Sequence, residues 1–493
     1  MTAWLRRHPL AVFLPLQALL YCWNLALLSP WGDEAGTLLM VRESLGTLVR
    51  WAAEDVHPPL YYVSLYCWQR IPLGIDWAVQ ARLLSVLFAL LATVALDGLW
   101  GRRLEERTRR TLLAFWTLSP CLLLYSRMCR SYSLQCLLAI VAMAMLMRAA
   151  DAATWRNGTL LALALLAGMY SHYVAGIALV VVANLTLLAR RRWAQTLAMD
   201  CALAIGYLPW AWRLLASLNS WGAGAGRGYA LTGSRLLEIP VKFAYWCMSF
   251  VLGEAVPDAV LVGGALLLPL VGALAWQGAR KVPDLAWPAA GLAVVGFTGV
   301  ARWVSYPFVP ARMLFVLPFF LILTAAGAAT RPRWGKPVVA VMLLFSLSGI
   351  ACYFTKTGFR NKQYPVPIRQ IAARILRESQ AGTSAILVDS TNSDPVAMLY
   401  AVHPQRTLLQ TGRAETPAAL SRVLADPQVR SVWFLRNTHD VSPGGLNQRF
   451  EAQIRAAGMA GTVQPYEPFT PLEHRLMGAG APRYFHELVE FRR

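Results

Sequence analysis

Apolar runs about as long as a bilayer core is thick recur, bounded by charge, through the first 354 positions or so. They predict membrane spans near 8–29, 80–100, 110–127, 132–149, 157–171, 173–190, 195–214, 258–277, 286–305, 310–328 and 337–354. Two more apolar stretches, 58–74 and 238–253, are ambiguous by hydropathy alone. Read as helices lying on the membrane surface, they leave the basic clusters at 102–110, 148–156, 190–192, 280–281 and 331–336 on the same side as Arg6 and Arg7. Counting either stretch as a span reverses every later cluster, against the excess of Lys and Arg expected in cytoplasmic loops. The pattern therefore predicts eleven spans, a cytoplasmic N-terminus and an outer C-terminus. The first apolar run is overlong for a cleaved signal and has no small-residue cleavage site, so it reads as a retained span.

Beyond Thr355 the pattern changes. SAILVDS and SVWFLRN read as short strands, while PVPIRQIAARILRES and GLNQRFEAQIRAAG carry helical spacing of apolar residues. Strands alternating with helices predict a small α/β domain. The expected organisation is a transmembrane domain over 1–354 and an extracytoplasmic α/β domain over 355–493.

Composition agrees with the pattern: of 493 residues 57% are hydrophobic and 15% charged, and the mean hydropathy is +0.44. This is a polytopic α-helical membrane protein. The net charge of +20 comes from 46 Lys and Arg against 26 Asp and Glu. Most of the Arg flank apolar runs and carry topology, and no basic stripe with interleaved aromatics marks a nucleic-acid surface. The eight Cys all lie between Cys22 and Cys352, with no spacing that draws a disulfide framework or a metal site. There is no P-loop and no glycine fingerprint after a strand, and the glycine-rich stretch 221–234 reads as a flexible outer loop.

The topology gathers titratable residues on one face. Asp33, Glu34, Asp55 and His57 follow the first span in a long, charged, irregular segment that reaches Tyr62. Arg82 opens the second span. Arg127 and Arg130 lie in YSRMCRSY, His172 and Tyr173 in the turn YSHY, and Arg312 ends the outer turn RWVSYPFVPAR that Arg302 opens. Arginine at outer helix ends opposes the positive-inside rule and needs another reason. A clamp on an anionic, lipid-borne phosphate supplies one. The nearby carboxylates offer general-base chemistry. Each residue also admits a structural role: Arg127 can snorkel to headgroups, Arg82 can cap a span end, and His172 can be a satisfied interhelical donor. Pro58 and Pro59 suit a helix start.

WGDE, then EDVHPPLYY, ARLLSVLFAL, YSRMCRSYSL, YSHY and VPARMLFVLPFFLILTAAG stand in an order that resembles the GT-C superfamily of polyprenyl-phosphate-sugar glycosyltransferases. The likeness is to protein O-mannosyltransferases and lipid A aminoarabinose transferases, and it covers Trp31 to about Gly327. The resemblance implies that Asp33 is the catalytic acid residue of the first outer loop, with Glu34 beside it and Asp55 as the acid before the paired prolines. It implies donor-phosphate binding by Arg127, Arg130 and Arg312, with Arg82, His57 and His172. The aromatics beside these motifs, Tyr61, Tyr132, Tyr173 and Tyr306, are expected in the donor and acceptor pocket. Two departures stand out: His57 occupies a position where aminoarabinose transferases usually carry Lys, and the β-trefoil insert of eukaryotic mannosyltransferases is absent.

The implied reaction is inverting transfer of a sugar from a polyprenyl phosphate to a hydroxyl or phosphate acceptor borne on a lipid, glycan or protein. It would take place at the outer face of a bacterial cytoplasmic membrane. No cofactor is required; a divalent metal could bridge Asp33 and Asp55, but several Arg leave no electrostatic need for one. The alternative is a transporter or flippase of a polyprenyl-linked lipid. That class favours inverted repeats and charges along a path, whereas here there is no such repeat and the charges gather at one face.

Overall fold

The structure is a computed structural model that describes residues 8–55, 57–221, 235–303, 309–389, 407–411, 415–438, 445–467, 469–470, 473–475 and 485–493, without the side chains of 217–221, 235–237 and 302–303. The chain forms two compact units. One comprises Met1–Leu25 and Met40–Thr357, the other Ala26–Leu39 and Gly358–Arg493.

The first unit is helical because its sequence is apolar and must satisfy its backbone internally. Helix α1 (Leu10–Cys22) is followed by Asn24, whose φ of 46° is a left-handed conformation that Asn tolerates just past a helix end. The stretch expected to be irregular is instead mostly helical. It forms α2 (Gly32–Met40), α3 (Leu45–Glu54) and α4 (Leu60–Trp68). Local chemistry accounts for this. Asp33 and Glu34 fall in the first turn of α2, where a helix favours negative charge, and the Ser44 hydroxyl accepts from the Thr47 amide to cap α3. Nine residues in α4 make roughly 14 Å of helix, too short to cross a bilayer.

Helices α5 (Trp77–Leu99), α6 (Glu106–Thr117), α7 (Pro120–Ser126), α8 (Tyr132–Asp151), α9 (Trp155–Ser171), α10 (Tyr173–Ala189) and α11 (Trp193–Trp221) follow. The apolar run 110–127 is broken where Pro120 opens α7, capped by the Ser119 hydroxyl. Next come α12 (Arg235–Leu252), α13 (Asp258–Lys281), α14 (Pro283–Trp303), a 3₁₀ segment Pro310–Val316 that leads into α15 (Leu317–Thr330), and α16 (Pro332–Thr355). Among the described residues six helical stretches are long and apolar enough to span: Trp77–Arg103, Tyr132–Asp151, Asp258–Lys281, Pro283–Ala301, Pro310–Thr330 and Pro332–Thr355. Leu10–Cys22 and Tyr173–Ala189 are shorter apolar helices. The chain is thus a multi-pass membrane protein.

Packing within this unit uses small residues and buried polar links. Gly278 and Gly327 let α13 and α15 touch backbone to backbone; a Cβ at either would lie 1.8 Å from a carbonyl oxygen of the other helix. Thr93 on α5 donates to Gln17 Oε1 on α1 at 2.5 Å and accepts from Trp116 Nε1 on α6 at 2.8 Å.

The C-terminal part of the second unit is a three-layer α/β domain. Its strands β1 (Ser384–Val388), β2 (Thr407–Gln410), β3 (Ser431–Asn437), β4 (Ala460–Tyr466) and β5 (His486–Arg492) form one sheet in the order β2-β1-β3-β5-β4. Strand β1 runs parallel to β2 and β3, and β5 is antiparallel to β3 and β4. Alternation decides the layers. Leu387, Phe434 and Phe491 face helices α18 (Thr416–Ala425) and α19 (Leu446–Ala456), while Ile386, Trp433 and Leu488 face α17 (Ile368–Glu378). The segment Ala26–Leu39 belongs to this unit: Trp31 meets Tyr364 edge-on at 5.2 Å, and Ser29 Oγ accepts from the Arg369 amide at 3.2 Å.

Candidate active site

In the first unit the residues singled out from the sequence sort into two groups. Arg127 is 2% exposed and spent on the chain itself. Its Nη1 donates to the carbonyls of Leu20 and Tyr21 at 3.0 Å each, Nη2 to that of Asn24 at 2.6 Å, and Nε to the Tyr353 hydroxyl at 2.9 Å. Tyr353 and Phe354 also cover its face, 5.1 and 5.2 Å from ring centre to guanidinium. Buried Arg82 donates to the Leu25 carbonyl at 2.6 Å. Both arginines thus answer carbonyls at and after the end of α1, groups that a helix terminus leaves without partners. Expected as a phosphate ligand, Arg127 is instead a brace for the chain as it leaves α1, because its hydrogen-bonding groups face backbone oxygen.

The second group converges. Asp55 ends α3, and the His57 ring that follows has Nδ1 2.6 Å from the Asp55 carbonyl and 3.0 Å from Asp55 Oδ2. Its Nε2 lies 2.9 Å from Arg130 Nη2, and Arg130 Nη1 donates to the Tyr62 hydroxyl at 3.1 Å. Ser85, on α5 one turn after Arg82, donates to the Arg130 carbonyl at 3.3 Å and pairs with the Tyr61 hydroxyl at 2.7 Å. The joint between α7 and α8 that carries Arg130 is held to the Arg312 segment: Gln135 Nε2 donates to the Ala311 carbonyl at 2.7 Å and the Cys136 thiol to that of Leu314 at 3.2 Å. His172 joins α9 to α10, and its Nδ1 accepts from the Ala175 amide at 3.4 Å. Burial pushes its pKa down to about 3, and the charges of Arg312 and Arg130 press it the same way, so it stands neutral beside them. Arg312 Nη1 is buried with no hydrogen-bond partner among the described residues. The carboxyl of Asp55 titrates low. Partial desolvation raises its pKa, but the hydrogen bond from His57 and the charge of Arg130 outweigh that.

Asp33 and Glu34 lie on α2 in the second unit, Glu34 fully buried and Asp33 half-buried, with the Asp33 carbonyl accepting from the Thr37 hydroxyl at 2.8 Å. Tyr132 packs edge-on against Tyr125 at 5.4 Å. Tyr173 accepts from Trp210 Nε1 at 3.0 Å and so turns toward α11. Tyr306 and the side chain of Arg302 lie outside the described residues. Among the described residues no cluster of three or more His, Cys, Asp or Glu stands ready to hold a metal ion.

Glu254 was missed in the sequence. It sits between α12 and α13, 1% exposed, and accepts from the hydroxyls of Tyr125 and, at 3.0 Å, Tyr245. Burial lifts its pKa well above the usual range. The signal was there: an acid between two apolar runs, flanked by Gly253 and Pro257, is costly at membrane depth.

A bundle of apolar helices with a C-terminal α/β domain, carrying basic residues at helix ends, is the GT-C fold. The chain is similar over 99% of its length to 98% of ArnT from Cupriavidus metallidurans in the apo state, at 13% identity and a TM-score of 0.60. It is similar over the same shares and at the same identity to that protein bound to undecaprenyl phosphate, with a TM-score of 0.58. An oligosaccharyltransferase from Archaeoglobus fulgidus, tethered with an acceptor peptide, is similar over 87% of this chain and 69% of its own, at 13% identity and a TM-score of 0.47. No family model matches the sequence, and no curated protein does.

Proposed function

We propose that the protein is an inverting glycosyltransferase that moves a sugar from a polyprenyl phosphate to a hydroxyl or phosphate acceptor at the outer face of the cytoplasmic membrane. The observation that carries this reading is the gathering of basic side chains from separate helix ends around His172. Arg130 is met by the neutral acceptor Tyr62 and by His57, and Arg312 Nη1 has no hydrogen-bond partner among the described residues. A buried guanidinium nitrogen without an acceptor is costly, and a lipid phosphate at the same depth would supply one to Arg312 Nη1. The fold it shares with ArnT, which has been seen with undecaprenyl phosphate bound, supports a lipid-phosphate ligand.

In this reading Arg130 and Arg312 stabilise charge growing on the leaving phosphate, and neutral His172 can donate to it from Nε2. Asp33 takes the proton from the acceptor hydroxyl as that oxygen attacks the anomeric carbon and the bond to the phosphate breaks. Such base catalysis is worth about 10²–10⁴-fold. The N-terminus is cytoplasmic, and the α/β domain faces the periplasm or exterior.

Purified protein given a radiolabelled polyprenyl-phosphate sugar and crude envelope lipids is expected to transfer label. Asp33→Asn is expected to abolish transfer while donor binding survives. Normal turnover by Asp33→Asn would remove the assigned base, and no transfer by the wild type with any such donor would remove the function.

A further inference from the structure

We propose that His57 is a positioning residue and not a phosphate ligand: with Asp55 it forms a relay in which a neutral imidazole accepts from Arg130 and aims the guanidinium at the donor phosphate. This rests on the reading that Arg130 meets that phosphate. The assignment follows from what each partner is able to do. The atoms within 3.0 Å of His57 Nδ1 are the carbonyl and a carboxylate oxygen of Asp55, both acceptors, so Nδ1 carries the proton. Nε2 stands 2.9 Å from Arg130 Nη2, and a guanidinium nitrogen only donates, so Nε2 presents its lone pair. Tyr62 completes the frame. Its hydroxyl takes a bond from Nη1, and its ring meets the imidazole edge-on at 5.8 Å. One acceptor thus holds each terminal nitrogen of the guanidinium, from α4 on one side and from the turn before it on the other.

The groups facing His57 make the neutral state essential. Asp55, on its own segment, favours a proton at Nδ1. Arg130 faces it from the joint of α7 and α8, Tyr62 from α4, and His172, itself pressed by Arg312, from the joint of α9 and α10. A second proton, on Nε2, would set N–H against N–H and cation against cation, and Arg130 would lose its hold. A direct phosphate ligand behaves in the opposite way, since it gains from every added proton.

Substitution separates the two roles. His57→Gln reaches the Nε2 position with an amide oxygen that accepts from Arg130 and does not titrate. His57→Lys brings a cation with donors only. The measurement is the affinity of detergent-solubilised full-length protein for methyl undecaprenyl phosphate, a diester whose single charge is constant from about pH 5 to 8, the range in which imidazole titrates. The expected order is wild type and His57→Gln within about threefold of each other and His57→Lys weaker by roughly tenfold or more, the size of a lost charge-assisted contact. Acid is expected to weaken the wild type and to leave His57→Gln unchanged. Lys restoring affinity where Gln loses it, or acid tightening the wild type, overturns the relay and leaves the transferase standing. Should His57→Lys fail to melt cooperatively, parallel pH curves for wild type and His57→Gln overturn the relay on their own. A wild type that binds no polyprenyl phosphate removes the donor reading, and the relay goes with it.

Discussion

The two ends of α5 solve the same problem in opposite ways. Near its C-terminal end Asp97 is wholly buried and takes a forked pair of bonds from Arg109, Nε at 2.5 Å and Nη2 at 2.6 Å. Roughly 22 Å away along the helix, at 1.5 Å per residue, Arg82 opens a region of many cations. There Arg82 and Arg127 are answered by carbonyls, Arg130 by a hydroxyl and an imidazole, and Arg312 Nη1 by nothing among the described residues. One end is an ion pair closed on itself, as a structural element should be. The other is braced by two arginines and gathers two more beside His172. Buried charge alone does not mark a site; whether the protein itself neutralises that charge does.

The largest expected effect lies at the closed end. Arg109→Ala leaves a buried carboxylate without its partner, a loss of about 3–5 kcal/mol. A large fall in melting temperature is expected, with donor-lipid affinity unchanged in whatever remains folded. The C-terminal domain offers a third way to bury a titratable group, which is to keep it neutral. Burial lowers the His486 pKa to about 4 from an ordinary value near 6.5. The unfolded chain therefore binds the extra proton first as pH drops. Stability is full above about pH 6.5 and is lost as pH falls toward 4, by roughly 3 kcal/mol in all. Hydrogen-exchange protection at β5 in the full-length protein, taken relative to the intrinsic amide rate at each pH, should fall over that window, and His486→Gln should flatten the dependence. A flat wild-type profile would show that burial is not what holds this imidazole.

Arg312→Ala inverts the Arg109 result. Removing a half-buried side chain whose Nη1 has no hydrogen-bond partner among the described residues should leave melting unchanged or raise it slightly. Affinity for a polyprenyl phosphate should drop by roughly 10- to 100-fold, as expected for about 1.5–3 kcal/mol in a hydrogen bond to a charged group. If Arg312→Ala melts early and binds normally, the two ends of α5 are alike and the gathered arginines have no ligand to explain them.

How far this contrast could be read in the sequence follows from what each residue contacts. Arg130, Arg312 and His57 stand out in the sequence because basic residues at the expected outer helix ends demand a reason. Strands β1 and β3 and helices α17 and α19 were legible because buried parallel strands are continuous apolar runs and their helices are strongly periodic. Arg127 was misread because its partners are backbone oxygens at Leu20, Tyr21 and Asn24, and no sequence pattern names a carbonyl as an acceptor. Asp97 and Arg109 stand 12 positions apart across a helix end, so their pairing appears only once α5 and α6 are packed together. Strand β2, four residues long and partly exposed, and β4, mostly exposed, lack a clear apolar signal. The helices α2 and α3 were hidden because their charges suggested a solvated loop, whereas those charges sit at helix starts and exposed faces; α4 falls within 58–74, where a surface helix was expected.

The smallest expected effect tests whether pairing or burial gives the closed end its strength. A few residues from Arg109, Glu105 accepts from Lys281 at 2.8 Å, a contact of the same chemical type. Here, however, the side chains are 68% and 38% exposed, against 1% for Asp97 and 17% for Arg109. Water already solvates both Glu105 and Lys281, and salt screens their attraction, so little is lost when one partner goes. Lys281→Ala should therefore shift the melting temperature by no more than the scatter between repeat scans, at low and high salt alike. A fall comparable to that of Arg109→Ala would mean that the bond itself carries the stability, and burial would no longer separate the closed end of α5 from the open one.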